Sequence, residues 1–330
     1  MNDNATAVAQ ALRTIDDGRV ADGVAAMTRA ADAGDVDALM QLATWHMVGS
    51  PVPRDLPRAR RFLRRAVAIG HVDGALMEVA LTANGSGEAA DWQAALTLLR
   101  TAAAGDHVAA RHFQLLDAMA LDGDGYPHAL PAGEQLSNAP EITRFPRLFS
   151  PDECAHIAMA AQDLLEPSSV LDPASGRRIA HPVRTSDGAV IGPTREDLVI
   201  QALNRRIAAA SGTAVEQGEP LAVLRYSPGQ QYRPHLDTIA GAVNQRVKTV
   251  LIYLNEGYGG GETVFPVPGV TVRPRGGDAV LFTNTLPGGR PDQRSRHAGL
   301  PVTHGAKWLA TRWIRADPIS PWDIGDGSGG

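Results

Sequence analysis

Cysteine is almost absent. Cys154 stands alone in 330 residues, so the chain can close no disulfide within itself and can build no zinc site on thiolates. That usage suits a reducing compartment, and the cytoplasm is the expected location. No stretch approaches the roughly 18 consecutive apolar residues of a membrane span. The opening Met1-Asn2-Asp3-Asn4-Ala5-Thr6 lacks the basic and apolar regions of a secretory signal. No membrane partner is expected. Lysine and arginine are not concentrated either: the formal net charge is -5, which disfavours nucleic acid as a partner. Arg58, Arg60, Arg61, Arg64 and Arg65 recur at helical spacing and read as a solvated helix face.

What is present is ordinary for a globular protein, with 44% hydrophobic and 20% charged residues, which excludes a disordered or fibrous chain. A single core stops growing near ~250 to 300 residues, so two domains are expected. The first 120 or so residues are rich in Ala and Leu at spacings of three and four, the period of amphipathic helices. Within them Ala30-Ala31-Asp32-Ala33-Gly34-Asp35-Val36-Asp37-Ala38 is echoed around Gly70 and again around Gly105, a period of 36 (70 − 34) and then 35 (105 − 70). That period, with small residues at fixed places and the Gly49-Ser50-Pro51-Val52-Pro53 turn, resembles Sel1-like repeats, relatives of the tetratricopeptide repeat built from helix-turn-helix units.

From Leu121 to Arg144 the pattern gives way to Gly, Pro, Asp and Asn, which reads as a linker. Ser150-Pro151-Asp152-Glu153 offers an N-cap, a first-turn proline and an acid to open a helix ending near Leu165. A similar start at Thr194 to Asp197 precedes a stop at Gly212. After Leu221 come short β-rich runs: Leu221 to Tyr226, Val247 to Leu254, Val270 to Arg273, Asp278 to Phe282 and Lys307 to Ile314. Their spacing leaves no room for helices between them, which predicts an antiparallel barrel or jelly roll. The fold class is therefore α+β: helical repeats over 1–120, a linker over 121–144, a jelly-roll domain over 145–318 and a flexible tail over 319–330.

His235-Leu236-Asp237 places two metal-ligand side chains two residues apart, and on a strand both point to one face. A third ligand has to come from elsewhere. His297, 62 positions on (297 − 235), lies just before the last strands. Two imidazoles and a carboxylate form the facial triad that leaves positions open on non-heme iron(II).

The stretch from Tyr226 to Asp237 carries Tyr226, Gly229, Gln230, Tyr232, His235 and Asp237, and so resembles the Tyr-x-x-Gly-Gln-x-Tyr-x-x-His-x-Asp segment of the prolyl-4-hydroxylase family at every fixed position. The resemblance continues through Arg246 to Asn255, Gly260-Gly261-Glu262-Thr263, Pro274-Arg275-Gly276-Gly277-Asp278, His297-Ala298-Gly299 and Gly305-Ala306-Lys307-Trp308. Arg184-Thr185-Ser186 extends it upstream, to roughly residues 145 to 315. It implies an iron(II)- and 2-oxoglutarate-dependent dioxygenase with a double-stranded β-helix, using O2 and, as an optional accessory, ascorbate. The iron ligands are then His235, Asp237 and His297. Lys307, ten residues past His297 (307 − 297), holds the far carboxylate of 2-oxoglutarate, and Tyr226 donates a hydrogen bond to it. Tyr232 and Arg246 face the substrate and Trp313 walls its pocket. Asp278 and Asp292 read as structural, and His156, His181 and His304 as bystanders.

The implied reaction couples decarboxylation of 2-oxoglutarate to hydroxylation of an unactivated carbon. Asp237 matters to that outcome, since related halogenases lack the carboxylate so that chloride can bind. A prolyl residue in a peptide or protein and a free proline-like amino acid remain open as substrates. The repeats suit a protein contact or dimerisation. Two rival readings are a non-catalytic scaffold with a degenerate oxygenase module and a nucleic-acid demethylase. Intact ligands disfavour the first, and the second is disfavoured by the acidic balance and by Lys307 where such enzymes typically carry arginine.

Overall fold

The computed structural model describes residues 3–171, 178–180 and 183–322; His181 and residues 323–330 of the expected tail lie outside them. The N-terminal helices are α1 (Asp3–Asp16), α2 (Val20–Asp32), α3 (Val36–Val48), α4 (Leu56–Ala68), α5 (Val72–Asn84), α6 (Trp92–Ala103) and α7 (His107–Ala118). Physically, the sequence repeat is a capping repeat. Directly after Gly34, Gly70 and Gly105 stand Asp35, His71 and Asp106, and each caps the helix that follows. Asp35 accepts from the Ala38 N–H at 3.0 Å, His71 Nδ1 from Gly74 at 3.0 Å, and Asp106 from Val108 and Ala109 at 2.8 Å. The alternate helices start on Asp55 and Asp91, which accept from Arg58 and Ala94. These caps satisfy donors that the first turn leaves without a helical partner. Helices α3 and α5 end on Gly49 and Gly85 at φ +87° and +73°, where a side chain would be strained.

Successive helices pack on one another and bury Met27, Leu39, Leu42, Leu63, Leu81 and Leu99. Arg60 departs from the expected solvated stripe, being 2% exposed. It lies beside Ala59, Phe62 and Leu63 on the packed face of α4, and a charge there must carry its own partner. Glu78 supplies it at 2.7 Å, with Thr82 at 2.6 Å. Among the described residues no helix is long and apolar enough to cross a membrane.

The helices that follow the repeats are α8 (Pro151–Gln162) and α9 (Leu198–Ser211). The strands are β1 (Glu134–Asn138), β2 (Glu141–Phe145), β3 (Glu166–Pro167), β4 (Ser169–Leu171), β5 (Arg178–Ala180), β6 (Asp187–Ile191), β7 (Leu221–Tyr226) and β8 (Tyr232–His235). Then come β9 (Arg246–Tyr253), β10 (Gly259–Gly260), β11 (Thr263–Phe265), β12 (Val270–Val272), β13 (Ala279–Thr283), β14 (His297–Gly299), β15 (Val302–His304) and β16 (Lys307–Arg315). The larger sheet runs β1-β2-β13-β9-β16-β7-β6-β3 and the smaller β12-β11-β14-β8. All pairings in both sheets are antiparallel among the described residues, the jelly-roll arrangement that the strand spacing predicts. Tyr226, Leu251, Tyr253, Val280, Phe282 and Leu309 of the larger sheet meet Phe265 and Val272 of the smaller in one core.

Helix α8 opens as expected: Ser150 Oγ accepts from the Glu153 N–H and Glu153 accepts from the Ser150 N–H. Glu153 also binds Arg206 on α9 at 2.7 Å.

The stretch 121–144 differs from its reading as a linker, because it holds β1 and most of β2, and β2 pairs directly with β13. In compact units the division falls between Gly125 and Tyr126, with Glu196–Ala202 grouped with the first unit. Strand β1 is an edge strand exposed on nearly every residue, so it has no apolar alternation to betray it. Ile142 anchors β2 in the core at 0% exposed.

Buried Asp278 locks this hairpin onto the sheet. It accepts from Arg144 at 2.7 Å and from the N–H groups of Arg147 and Arg275 at 2.9 Å. Asp278→Ala strands two backbone donors and a guanidinium, so it should destabilise the domain by about 3 kcal/mol. Denaturant unfolding checks this, and an unchanged midpoint would contradict it.

Candidate metal and cosubstrate site

Antiparallel pairing of β14 with β8 sets His297 directly opposite His235. Their ring centroids are 4.3 Å apart. Each imidazole is oriented by a backbone carbonyl: His235 Nδ1 donates to Arg233 O at 2.8 Å and His297 Nδ1 to Ser295 O at 3.1 Å. A carbonyl only accepts, so Nδ1 carries the proton and Nε2 presents its lone pair.

Asp237 reaches the same point by a route different from the one expected. Strand β8 ends at His235, and Asp237 lies beyond it in a bend. Strand alternation therefore does not align the two ligands. A hydrogen bond from Thr249 Oγ1 on β9, 2.7 Å from Asp237 Oδ2, holds the carboxylate instead. Asp237 Oδ1 is 3.5 Å from His235 Nε2, and Oδ2 is 3.8 Å from His297 Nε2. The Oδ1 spacing is within the about 4.2 Å that two donors can span on one ion at about 2.1 Å each.

Burial pushes the Asp237 pKa up, but the charge interaction with the two imidazoles and the hydrogen bond from Thr249 outweigh it and hold the carboxyl well below the usual range. Burial lowers His297 to about 4. At neutral pH the site thus offers a carboxylate and an imidazole with a free lone pair, the donor chemistry iron(II) requires.

The pocket beside these ligands has an empty volume of about 400 Å3. Strand β16 supplies one wall through its alternate residues Lys307, Leu309, Thr311 and Trp313, all of which line it. Lys307 is 2% exposed and pairs in register with Tyr226. Its Nζ donates to Gly261 O at 2.6 Å and lies 5.6 Å and 5.2 Å from the ring centroids of Tyr226 and Tyr253. Gly261 has φ +69°, and a Cβ there would come within 3.0 Å of Lys307 Cδ, so glycine is what lets the lysine fold under this turn. The chain has two lysines. The other, Lys248, donates to Ser211 O, while burial pushes Lys307 down to about 8. Burial raises the pKa of Tyr226, which leaves its phenol a neutral donor.

Tyr232 also lines the pocket, stacked on His235 at 3.5 Å between centroids. The Arg184 guanidinium covers its ring at 5.5 Å, a role the sequence reading did not give that arginine. Trp313 is buried, and its indole N–H has no hydrogen-bond partner among the described residues.

Arg246 is placed differently from the substrate-facing position expected for it. It is 2% exposed, held by Glu219 through two bonds of 2.7 Å, with its face 4.0 Å from the Trp313 ring. A buried guanidinium needs a buried acid, and meeting Glu219 turns it into a brace for Trp313. Sequence reasoning missed Thr249, Asn284 and Glu219. Thr249 could have been found as the polar residue at an inward position in phase with Leu251 and Tyr253. Asp292 caps the turn before His297 and binds Arg294 at 2.8 Å. His156 and His304 do not line the pocket.

A family model described as the 2OG-Fe(II) oxygenase superfamily matches residues 221–315. The chain is 38% identical over 206 residues to prolyl 4-hydroxylase 1 of Arabidopsis thaliana, a match covering 57% of this chain and 73% of that protein. It is 33% identical over 221 residues to prolyl 4-hydroxylase 2 of the same plant, covering 59% and 74%. Among solved structures, the 2OG complex of the viral collagen prolyl hydroxylase vCPH from Paramecium Bursaria Chlorella virus-1 matches 53% of this chain and 96% of that one, at 27% identity and TM-score 0.43. A Sel1 repeat protein from Oxalobacter formigenes matches 34% and 88%, at 24% identity and TM-score 0.30.

Lys307 can hold a dianion only while protonated. With its pKa lowered to about 8, a Lys307 that holds the 2-oxoglutarate carboxylate would do so fully below about pH 8 and lose it as pH rises through that value. The same burial costs stability below about pH 8, and the cost fades as pH climbs towards the ordinary lysine value. The KM for 2-oxoglutarate should therefore rise by up to about tenfold per pH unit above 8. Lys307→Ala should raise it at least ~10-fold at neutral pH and flatten that dependence. Steady-state kinetics across about pH 7 to 9 test both points, and a pH-independent wild-type KM would contradict them.

Proposed function

The chain belongs to the prolyl 4-hydroxylase family of iron(II)- and 2-oxoglutarate-dependent dioxygenases, and on that footing we propose that it hydroxylates a prolyl residue carried in a peptide or protein. The observation behind the proposal is the placement of His235, Asp237 and His297 beside one pocket that ends on Lys307. When bound, iron(II) would activate O2 as the oxidant and 2-oxoglutarate would supply two electrons, losing carbon dioxide to give succinate that keeps one oxygen atom while the other enters the substrate.

The chain's own residues bind, orient and exclude water. His235, Asp237 and His297 would hold the metal on one face and leave the other free. Lys307, backed by the neutral Tyr226 hydroxyl, sets the depth at which the cosubstrate carboxylate stops. Leu224, Leu251 and Leu309 line the pocket and exclude water from it. Tyr232 and Trp313 also line the pocket, and the Trp313 N–H is a donor suited to a substrate carbonyl. Arg246 and Glu219 keep that indole in place. The same reading includes ascorbate as an accessory reductant, the cytoplasm as location, and the repeats as a surface for protein contact or dimerisation.

Incubation with proline-containing peptides and with free amino acids, read by mass spectrometry, tests the substrate class. Peptides should gain one oxygen on proline, and His297→Ala should abolish both that gain and succinate release. Modification of free proline with peptides untouched would contradict the proposal.

A further inference from the structure

Thr249 and Asn284 are both 0% exposed. The Thr249 hydroxyl lies 2.7 Å from Asp237 Oδ2 and 2.8 Å from Asn284 Nδ2. The direction of this chain is fixed by what each group can do. An ionised carboxylate only accepts, so the single hydroxyl proton points to Asp237. An amide NH2 only donates, so Asn284 fills the lone pair on the other side. Turning the amide over would set its oxygen against the hydroxyl, compete for that proton and strand two buried N–H donors.

Asn284 is itself pinned. Its backbone N–H donates to Val247 O at 2.8 Å, and its carbonyl accepts from the Asp292 N–H at 2.9 Å. Its side-chain oxygen has no hydrogen-bond partner among the described residues. The contact its side chain makes is therefore through the donor end, on Thr249.

We propose that Thr249 and Asn284 are positioning residues that keep Asp237 a one-oxygen ligand. With Oδ2 held by the hydroxyl, Oδ1 is left for the metal. Two imidazoles and one carboxylate oxygen occupy one face of an octahedral ion and leave the opposite face whole for a two-point cosubstrate and oxygen. If Asp237 swung so that both its oxygens bound, one position of that face would be lost. The relay thus protects the capacity of the site as well as its affinity.

This inference rests on the family's iron site and not on the choice of substrate, so its test reads metal binding with no substrate present. Cobalt(II) is the probe, because the intensity of its visible absorption reports coordination number. Thr249→Val keeps the shape and removes the hydroxyl. It should weaken cobalt(II) binding about 10-fold and change the band intensity, and Thr249→Ser should restore both. Asn284→Leu leaves the hydroxyl in place but unguided, and should produce the same spectral change with a smaller loss of affinity. It carries the test if circular dichroism shows Thr249→Val to be misfolded. Wild-type affinity and spectrum in the folded variants, or failure of the serine variant to restore them, would overturn the proposal.

Discussion

The pairing of β14 with β8 is the constraint on which the site depends. It places His297 opposite His235 although they are 62 positions apart (297 − 235). The register must be right to the residue, since a slip of one would turn an imidazole to the other face. Two features hold it. Asp292 and Arg294 shape the turn that feeds His297 into β14. The rings of Phe265 and Phe282 pack against His297 at centroid distances of 5.4 Å and 4.8 Å.

The rest of the pocket is a matter of matching buried charges. Asp237, Lys307 and Arg246 are all 6% exposed or less, and each would be costly if left without a partner. Arg246 has Glu219 and is internally compensated. Asp237 has the imidazoles and the Thr249 hydroxyl. Among the described residues Lys307 has a carbonyl and two ring faces but no acid within bonding distance, and burial lowers its pKa. The residues left uncompensated are those that the family chemistry assigns to the metal and to a dianion. A cation at Asp237 and a dianion at Lys307 would complete the electrostatics of the core and stabilise the fold by linkage.

Much of this was legible beforehand, for identifiable reasons. The inward residues of β7, β9 and β16 are long apolar or β-branched runs bounded by Gly and Pro, so their limits were read to within a residue or two. The clustering of His235, Asp237 and His297 and the pocket position of Lys307 are legible through the resemblance to the prolyl-4-hydroxylase segments rather than through spacing alone. What escaped depended on pairing. The β1–β2 hairpin is too polar to announce itself as sheet. Asp237 was given to a strand because spacing alone cannot show where a strand bends. Arg246 was aimed at substrate because Glu219, 27 positions earlier (246 − 219), gives no local sign that it will neutralise the guanidinium. The helical spacing of Arg60 hides its burial for the same reason, with Glu78 eighteen positions on.

The central claim is that the three ligands and Lys307 serve one pocket in which metal and cosubstrate meet. Anaerobic titration of the iron(II)-loaded protein with 2-oxoglutarate, followed by visible absorption, tests it most directly. A metal-to-ligand charge-transfer band that grows to saturation at one equivalent per chain, and is absent when either iron or 2-oxoglutarate is omitted, is the predicted result. Binding of 2-oxoglutarate without such a band would place cosubstrate and metal apart and contradict the account.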